Sequence, residues 1–420
     1  LAPRNIGPAG MSGRVTAIDV ELRNPDVIYA GTASGGVRRS TSGGIAWEPI
    51  FDKMPVQSIG ALKINQRNPD EIWVGTGEGN PRNSQNSGEG IFKSMDGGKN
   101  WKSMGLEKTK TIHRIVLHRD DPNTVFAGAL GSAWGANDDR GVFKSTDGGK
   151  TWRKVLFVNN MTGCADLVAD PENPNKLFAA MWEYGRTPWT FNSGGAGSGL
   201  YVSFDGGETW ERRTSKDGLP EGNLGRIGIA VAPSKPNIVY ALIEAKENAL
   251  YKSTDGGFKW QKMASSDAND SNVGNRPFYY HEIYVDPKNE NRIFSLWTFL
   301  SKSEDGGKTF SEWVGWKIHL DHHAFWISPD DPDYMVDGND GGLNITRDGG
   351  KSWQFAENLP VGQFYHVDVD MSIPYRVVGG MQAPISRFVN VLSGTVKRIV
   401  TVLDAISKKK GGSSNDRGSG

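Results

Sequence analysis

Four carboxylates, Glu78, Asp139, Glu183 and Asp340, and four aromatic residues, Trp134, Trp182, Tyr184 and Trp189, fall on segments of loop composition. Aromatic faces stack on apolar surface while carboxylates and guanidiniums fix polar groups, so this set could line a groove for a sugar or an extended peptide. Asn80, Arg82, Arg140 and Arg186 lie on the same segments and complete the candidate ligand contacts. Paired carboxylates at a separation of roughly 5–10 Å could support glycoside hydrolysis. The competing reading is that the aromatics tuck the loops onto the body. In His319-Leu-Asp321-His322-His323, alternate residues of a strand point the same way, so His319, Asp321 and His323 could converge on a cation. Against this, the stretch just precedes an apolar strand, where histidines often hydrogen-bond backbone.

What must position these residues is a repeat. The string Ser145-Thr-Asp147-Gly-Gly-Lys-Thr151-Trp152 recurs from Ser94, Ser203, Ser253, Ser303 and Thr346, and in degenerate form from Ser40, with Ser42 in place of the acid. The third positions lie 43 to 58 residues apart. A fixed period of this size marks a repeat architecture. Each unit reads as four short apolar runs separated by Gly, Asn, Asp and Pro, the pattern of antiparallel sheet. An Asn/Asp-Pro turn recurs in the same phase, at Asn24-Pro25, Asn68-Pro69, Asp121-Pro122, Asn173-Pro174, Asp286-Pro287 and Asp331-Pro332. The Asp of the box can bind nearby backbone N–H groups, and the glycines supply positive φ. The box is thus a fold-stabilising hairpin with no catalytic role expected.

Four-stranded units repeated radially give a β-propeller. The expected architecture is all-β: a seven-bladed propeller of four-stranded antiparallel blades with box turns over residues 1–382. Blades are expected near 14–50, 56–104, 112–156, 164–213, 226–263, 278–313 and 323–357. Residues 364–382 either close the ring or begin an eighth unit. From residue 383 the apolar spacing turns to 3 and 4, predicting an amphipathic helix over 383–410, with 411–420 a disordered tail. That helix could cover the propeller, engage a protein partner through 385–406, or mark a join to foreign sequence.

Lysine plus arginine and aspartate plus glutamate both number 48, so no net field draws in nucleic acid. One cysteine, Cys164, rules out an internal disulfide framework. No apolar run is long enough for a transmembrane helix. No cofactor is expected. The chain begins at Leu1, so a processed or truncated N-terminus is expected. A secreted, periplasmic or cell-surface protein is expected.

The boxes and Asn-Pro turns together resemble the BNR/Asp-box superfamily of sialidases, sortilin-type receptor domains and xyloglucanase-type glycoside hydrolases. The strings at 6–20, 74–83, 216–232 and 337–350 are similar to large bacterial proteins labelled sortilin-like or glycosyl-hydrolase-like. The resemblance implies an arginine cluster or a pair of acids. Arg14, Arg114 and Arg226 open the first strands of units 1, 3 and 5, yet the sialidase Arg-Ile-Pro segment is absent, with Arg226-Ile227-Gly228 as the nearest string. The xyloglucanase-type acid loop of the first blade is matched by Thr32-Ala33-Ser34-Gly35-Gly36, with Ala33 where the acid would sit. The Asn339-Asp340-Gly341-Gly342 loop resembles that acid-bearing loop. Asp340, with Glu183, is therefore the candidate catalytic pair.

Strand topology places the functional search. In a four-stranded blade the boxes and Asn-Pro turns share one face. The second-to-third and blade-to-blade loops share the other, where long loops collect binding residues. The leading expectation is a non-catalytic binding propeller holding a glycan or extended peptide on that loop-rich face. The alternative is a glycoside hydrolase, or the substrate-binding half of one.

Overall fold

A computed structural model of the chain describes residues 13–81, 85–265, 273–314, 317–362, 364–369 and 377–381. Among these residues, seven antiparallel sheets each contain four strands in chain order. Blade 1 is Val15–Val20, Ile28–Thr32, Val37–Ser40 and Glu48–Pro49. The first strands of the others are Ile59–Ile64, Ile112–Leu117, Thr162–Ala169, Ile227–Val231, Glu282–Asp286 and His322–Ile327. These first strands adjoin one another around the ring, so they are the innermost. Each runs from the loop-rich face to an Asn-Pro turn and pairs back on the second strand, as Val20 opposite Ile28 and Val15 opposite Thr32 in blade 1. The sequence pattern of four strands per unit is confirmed. Blade 4 adds a short strand, Phe191–Ser193, paired with Leu177–Arg186 in a protruding hairpin.

Both faces of every blade are apolar because each packs against a neighbour. Seven buried clusters result, one at each blade-to-blade contact. The last closes the ring: Val15, Ile28 and Ala30 of blade 1 pack on Val336, Leu343 and Ile345 of blade 7. The Tyr334 hydroxyl also donates to the Pro25 carbonyl across this junction at 2.9 Å. Blades 1 and 7 each supply all four of their own strands, so residues 364–382 are not required to complete either sheet.

The box works as both hairpin and spacer. In blade 3, Ser145 Oγ accepts the Gly149 N–H at 2.8 Å and its own hydroxyl donates to Asp147 Oδ1 at 2.8 Å. Asp147 Oδ1 also accepts the N–H groups of Lys150 and Thr151, both at 2.9 Å. Gly149 sits at φ 89°, where a side chain is strained, and a Cβ there would lie 2.6 Å from the Trp73 ring of blade 2. The second box glycine is thus where one blade touches the one before it. In the degenerate box, Ser42 Oγ accepts a single backbone N–H, from Ala46 at 2.9 Å.

The chain divides into two compact units, residues 1–361 and 362–420, a boundary earlier than the composition break at 383. Of the second unit, strands Phe364–Val369 and Val377–Met381 are described, paired antiparallel. The helix expected over 383–410 and the tail 411–420 lie outside the described residues. Cys164 is buried on the inner strand of blade 4, and burial pushes its thiol up.

Three outcomes are expected of the boxes. Removing the buried hydroxyl in Ser145→Ala leaves the Gly149 amide without its acceptor and should destabilise the domain by about 1–2 kcal/mol in denaturant titrations. Ser42→Asp should raise Tm instead. The box acids Asp96, Asp205 and Asp348 are held down at about 2 by side-chain hydrogen bonds, from Asn100, Thr209 and Ser352 respectively, together with backbone N–H groups. A depressed folded-state pKa contributes stability above the unfolded value and loses it as pH falls. Tm should therefore be level above about pH 5 and fall steadily from about pH 4 to 2; a flat profile across that window would contradict the assignment.

Candidate functional site

The first residues of the inner strands converge where the ring axis meets the loop-rich face, and there the charges gather. Arg14, immediately before the first strand of blade 1, donates from Nε to Asp340 Oδ1 at 2.5 Å and from Nη2 to Asp340 Oδ2 at 3.2 Å. Its Nη1 donates to Glu78, which is buried. Asp340 sits in the two-residue hairpin between Met335–Asn339 and Gly342–Thr346. It also accepts from His323 Nε2 at 3.0 Å and from the Tyr279 hydroxyl at 3.4 Å. Burial opposes ionisation of Asp340, but His323 and Arg14 outweigh it and hold the carboxyl well below the usual range. Burial lowers His323, so the neutral ring donates its Nε2–H.

A second network lies beside the first. Arg114 Nη2 donates to both oxygens of Glu282, at 2.5 and 2.6 Å, and its Nε donates to Asp166 at 2.8 Å. Burial raises Asp166, but its oxygens also accept the N–H groups of Ile229 and Leu167, the environment of a charged carboxylate. Burial opposes the charge on Glu282 too, and Arg114 overcomes it, so the net shift is downward. His113, lowered to about 3 chiefly by burial, is neutral, and its Nε2 faces the guanidiniums of Arg114 and Arg226 at 3.0 Å each. Arg226 Nη2 reaches Asn80 Oδ1 at 3.2 Å. Below this layer a channel of about 680 Å³ follows the inner strands down to residues such as Arg67, His118 and Pro287 at the turn face. Its inner end is closed by the Arg114, Asp166 and Glu282 layer.

This arrangement is charge-matched rather than acid–base. A hydrolase needs one carboxyl kept protonated and a second carboxylate opposite it. Here an arginine stands between the members of each close pair, Arg14 between Glu78 and Asp340, Arg114 between Asp166 and Glu282. Glu183 does not share a network with Asp340. Its Oε2 accepts the Gly197 N–H at 2.8 Å inside blade 4.

The structure sorts the other expected residues into three groups. Glu78 and Asn80 belong to the axial networks just described. Trp182 and Tyr184 are buried, stacked on each other with centroids 4.5 Å apart, so neither presents an open face. Here the competing reading, aromatics tucking the loops onto the ring, describes their place. Arg140 is likewise buried, donating to the carbonyls of Leu130, Ser132, Gly135 and Met161 and so stapling the blade 3 loop. Trp134 and Trp189, by contrast, stand 46% and 82% exposed. Trp189 crowns the hairpin of blade 4, where Thr187 and Thr190 close the turn by mutual hydrogen bonds. The Arg186 N–H donates to the Ala133 carbonyl at 2.7 Å, tying that hairpin to the loop bearing Trp134. Asp139 is half-buried in the latter loop, its N–H capped by Asn137. Arg82 lies outside the described residues.

The cation site expected over His319, Asp321 and His323 is not assembled. His319 Nδ1 faces the Leu320 carbonyl, Asp321 accepts from the Tyr280 hydroxyl, and His323 binds Asp340. Among the described residues, no group of three or more His, Cys, Asp or Glu is placed to hold a metal ion. Positive φ at Asp321, 66°, turns it out of the alternation on which the expectation rested. Sequence reasoning missed His113, Asp166, Glu282 and Tyr279. Arg114, Asp166 and Glu282 hold equivalent register positions on the inner strands of blades 3, 4 and 6, opposite Gly128, Ala180 and Leu296, whereas Arg14 and Arg226 lie just before the first strands of blades 1 and 5.

Comparison with known proteins agrees with this geometry. The BNR/Asp-box repeat profile matches residues 143–154 and 201–212, the third and fourth boxes. A xyloglucanase of Paenibacillus is 25% identical over 344 residues, covering 73% of this chain and 32% of that enzyme. The chain therefore spans about a third of the length of this relative. The solved structure of a GH74 enzyme from Niastella koreensis superposes with a TM-score of 0.62 at 20% identity, covering 87% of this chain and 57% of that one. YCF48 bound to D1 peptide superposes with a TM-score of 0.53 at 14% identity, covering 82% and 98%. At these identities the two structures speak to the fold alone.

Arg14 is the testable centre of the first network. Arg14→Met would leave two buried carboxylates without their cation and should cost about 3–5 kcal/mol. Adding Glu78→Gln and Asp340→Asn should recover most of that loss. Additive losses in the triple variant would show that the three side chains do not act as one unit.

Proposed function

We propose that this Asp-box (BNR) repeat propeller, whose relatives are glycosyl-hydrolase-like, is a non-catalytic binding module that holds a glycan across its loop-rich face. The reading rests on one contrast. The carboxylates at the axis are clasped by arginines, whereas two tryptophans on tied loops stand in solvent. An exposed Trp on a rigid hairpin presents a flat apolar face to a sugar ring at little entropic cost. Asp139 and Arg186 lie on the same loops and would orient hydroxyls. A polymeric glycan does not cross a membrane, so the module would work outside the cytoplasm. No helix among the described residues is long and apolar enough to span a membrane.

A second reading, the substrate-binding half of a glycoside hydrolase, is favoured by the share of the Paenibacillus xyloglucanase that the chain spans. Both readings predict glycan contact at Trp134 and Trp189. They differ in whether this chain, alone, turns substrate over.

Glycan-array binding followed by titration calorimetry tests the proposal. Trp134→Ala with Trp189→Ala should weaken binding about 10- to 30-fold, about 1.4–2 kcal/mol, without lowering Tm. Wild type should release no reducing ends from any polysaccharide it binds. Release that disappears in Asp340→Asn would make the chain a hydrolase, and capture of extended peptides in place of glycans would overturn the ligand class.

A further inference from the structure

Among the described residues, the loop-rich face carries a guanidinium that no acid meets. Arg276, in the connection between blades 5 and 6, is exposed, and no hydrogen bond or ion pair engages its guanidinium among the described residues. It lies instead over three rings, with its central carbon 5.6 Å from the Phe278 centroid, 5.2 Å from Tyr279 and 5.8 Å from Tyr280. Its backbone is at φ 45°, in the left-handed region that disfavours a side chain. An arginine serving only as a solubilising surface charge requires neither the pedestal nor the strain. Strain kept at a polar, exposed residue points to a binding role.

The pedestal continues towards the tryptophan platform. Phe278 touches Phe191 with centroids 4.9 Å apart, and the Arg186 guanidinium lies over Phe191 at 5.3 Å. Phe191 and Arg186 are opposite each other in the hairpin that Trp189 crowns. Two cations therefore stand along one aromatic ridge leading away from Trp189. A guanidinium laid on rings keeps its N–H edge for a planar oxyanion, and the rings hold it in place before any ligand arrives. The nearby carboxylates Asp340 and Glu78 are already engaged by Arg14, so the cation of Arg276 is not matched from the axis.

We propose that the ligand of this face is an acidic glycan, whose carboxylate or sulfate groups are received at Arg276. This rests on the glycan-binding reading above and sharpens it from any sugar polymer to an anionic one. Trp189 at the end of the ridge stacks on sugar rings while the Arg276 guanidinium selects those bearing charge.

The test compares a neutral β-glucan, a polyuronate, a sulfated galactan and polyglutamate as ligands of the full chain, at about 50 and 500 mM salt. A polyuronate or sulfated galactan should bind at least about tenfold more tightly than the neutral polymer, with the preference shrinking at high salt. The better of the two identifies the anion. Arg276→Gln should erase the preference and leave neutral binding unchanged. Arg276→Gly should erase it too, with Tm unchanged or raised by about 1–2 °C as the strained φ is relieved. Equal binding of neutral and acidic glycans, or a preference that survives Arg276→Gln, overturns this inference and leaves the binding module standing. A Tm lowered by Arg276→Gly with the preference intact would make Arg276 structural and overturn it equally. Failure to bind any glycan sinks the earlier reading, and capture of polyglutamate alone replaces the acidic glycan by an acidic peptide.

Discussion

A propeller sheet buries both faces only if the ring closes, and here closure depends on close steric contact between blades 7 and 1. At Gly338 a Cβ would lie 2.7 Å from Val15 Cγ1, so the two inner strands meet with no room to spare. Among the described residues, no strand is exchanged across the junction. Apolar packing of Val15, Ile28 and Ala30 against Val336, Leu343 and Ile345 carries it, helped by the Tyr334 bond to the Pro25 carbonyl. Interiors are packed as densely as organic crystals, and a gap at one junction would be felt at every other. The box glycines repeat the same logic at each seam, because the second of them lies against the preceding blade.

The ring brings seven strand ends to one point, and that geometry explains the charge pattern at the axis. Carboxylates crowded there would repel and shift one another unless cations stood between them. Arg14 and Arg114 do so, each gripping two acids from different blades, and neutral His113 and His323 fill the remaining stations. The axial charges therefore lock blades 1, 2 and 7 together on one side and blades 3, 4 and 6 on the other. This is a structural use of residue types that in isolation read as catalytic.

On the proposed reading, recognition moves outward as a result. Among the described residues left in solvent on the loop-rich face are Trp134, Trp189 and Arg276, and each is held by something that limits its motion: a hairpin turn, an inter-loop hydrogen bond, or an aromatic pedestal. Rigid presentation on a rigid ring suits recognition, since ordering costs fall before the ligand arrives. The axial acids offer no comparable opening.

The chain by itself determined the frame. Box spacing set seven blades and the Asn-Pro turns marked where strands pair back on one another, because strand and turn chemistry are local and repeat with the unit. Site chemistry was legible only in part. Trp134 and Trp189 stood out, but nothing in the sequence separated them from Trp182 and Tyr184, since burial depends on a neighbouring blade some fifty residues away. The pairing of Arg14 with Glu78 and Asp340, across 64 and 326 residues, was equally out of reach. The positive φ values of Asp321 and Arg276 broke the alternation that sequence reasoning assumes. Tertiary structure alone decided which acids are neutralised and which aromatic rings are buried, because both follow from contacts made only when the ring closes.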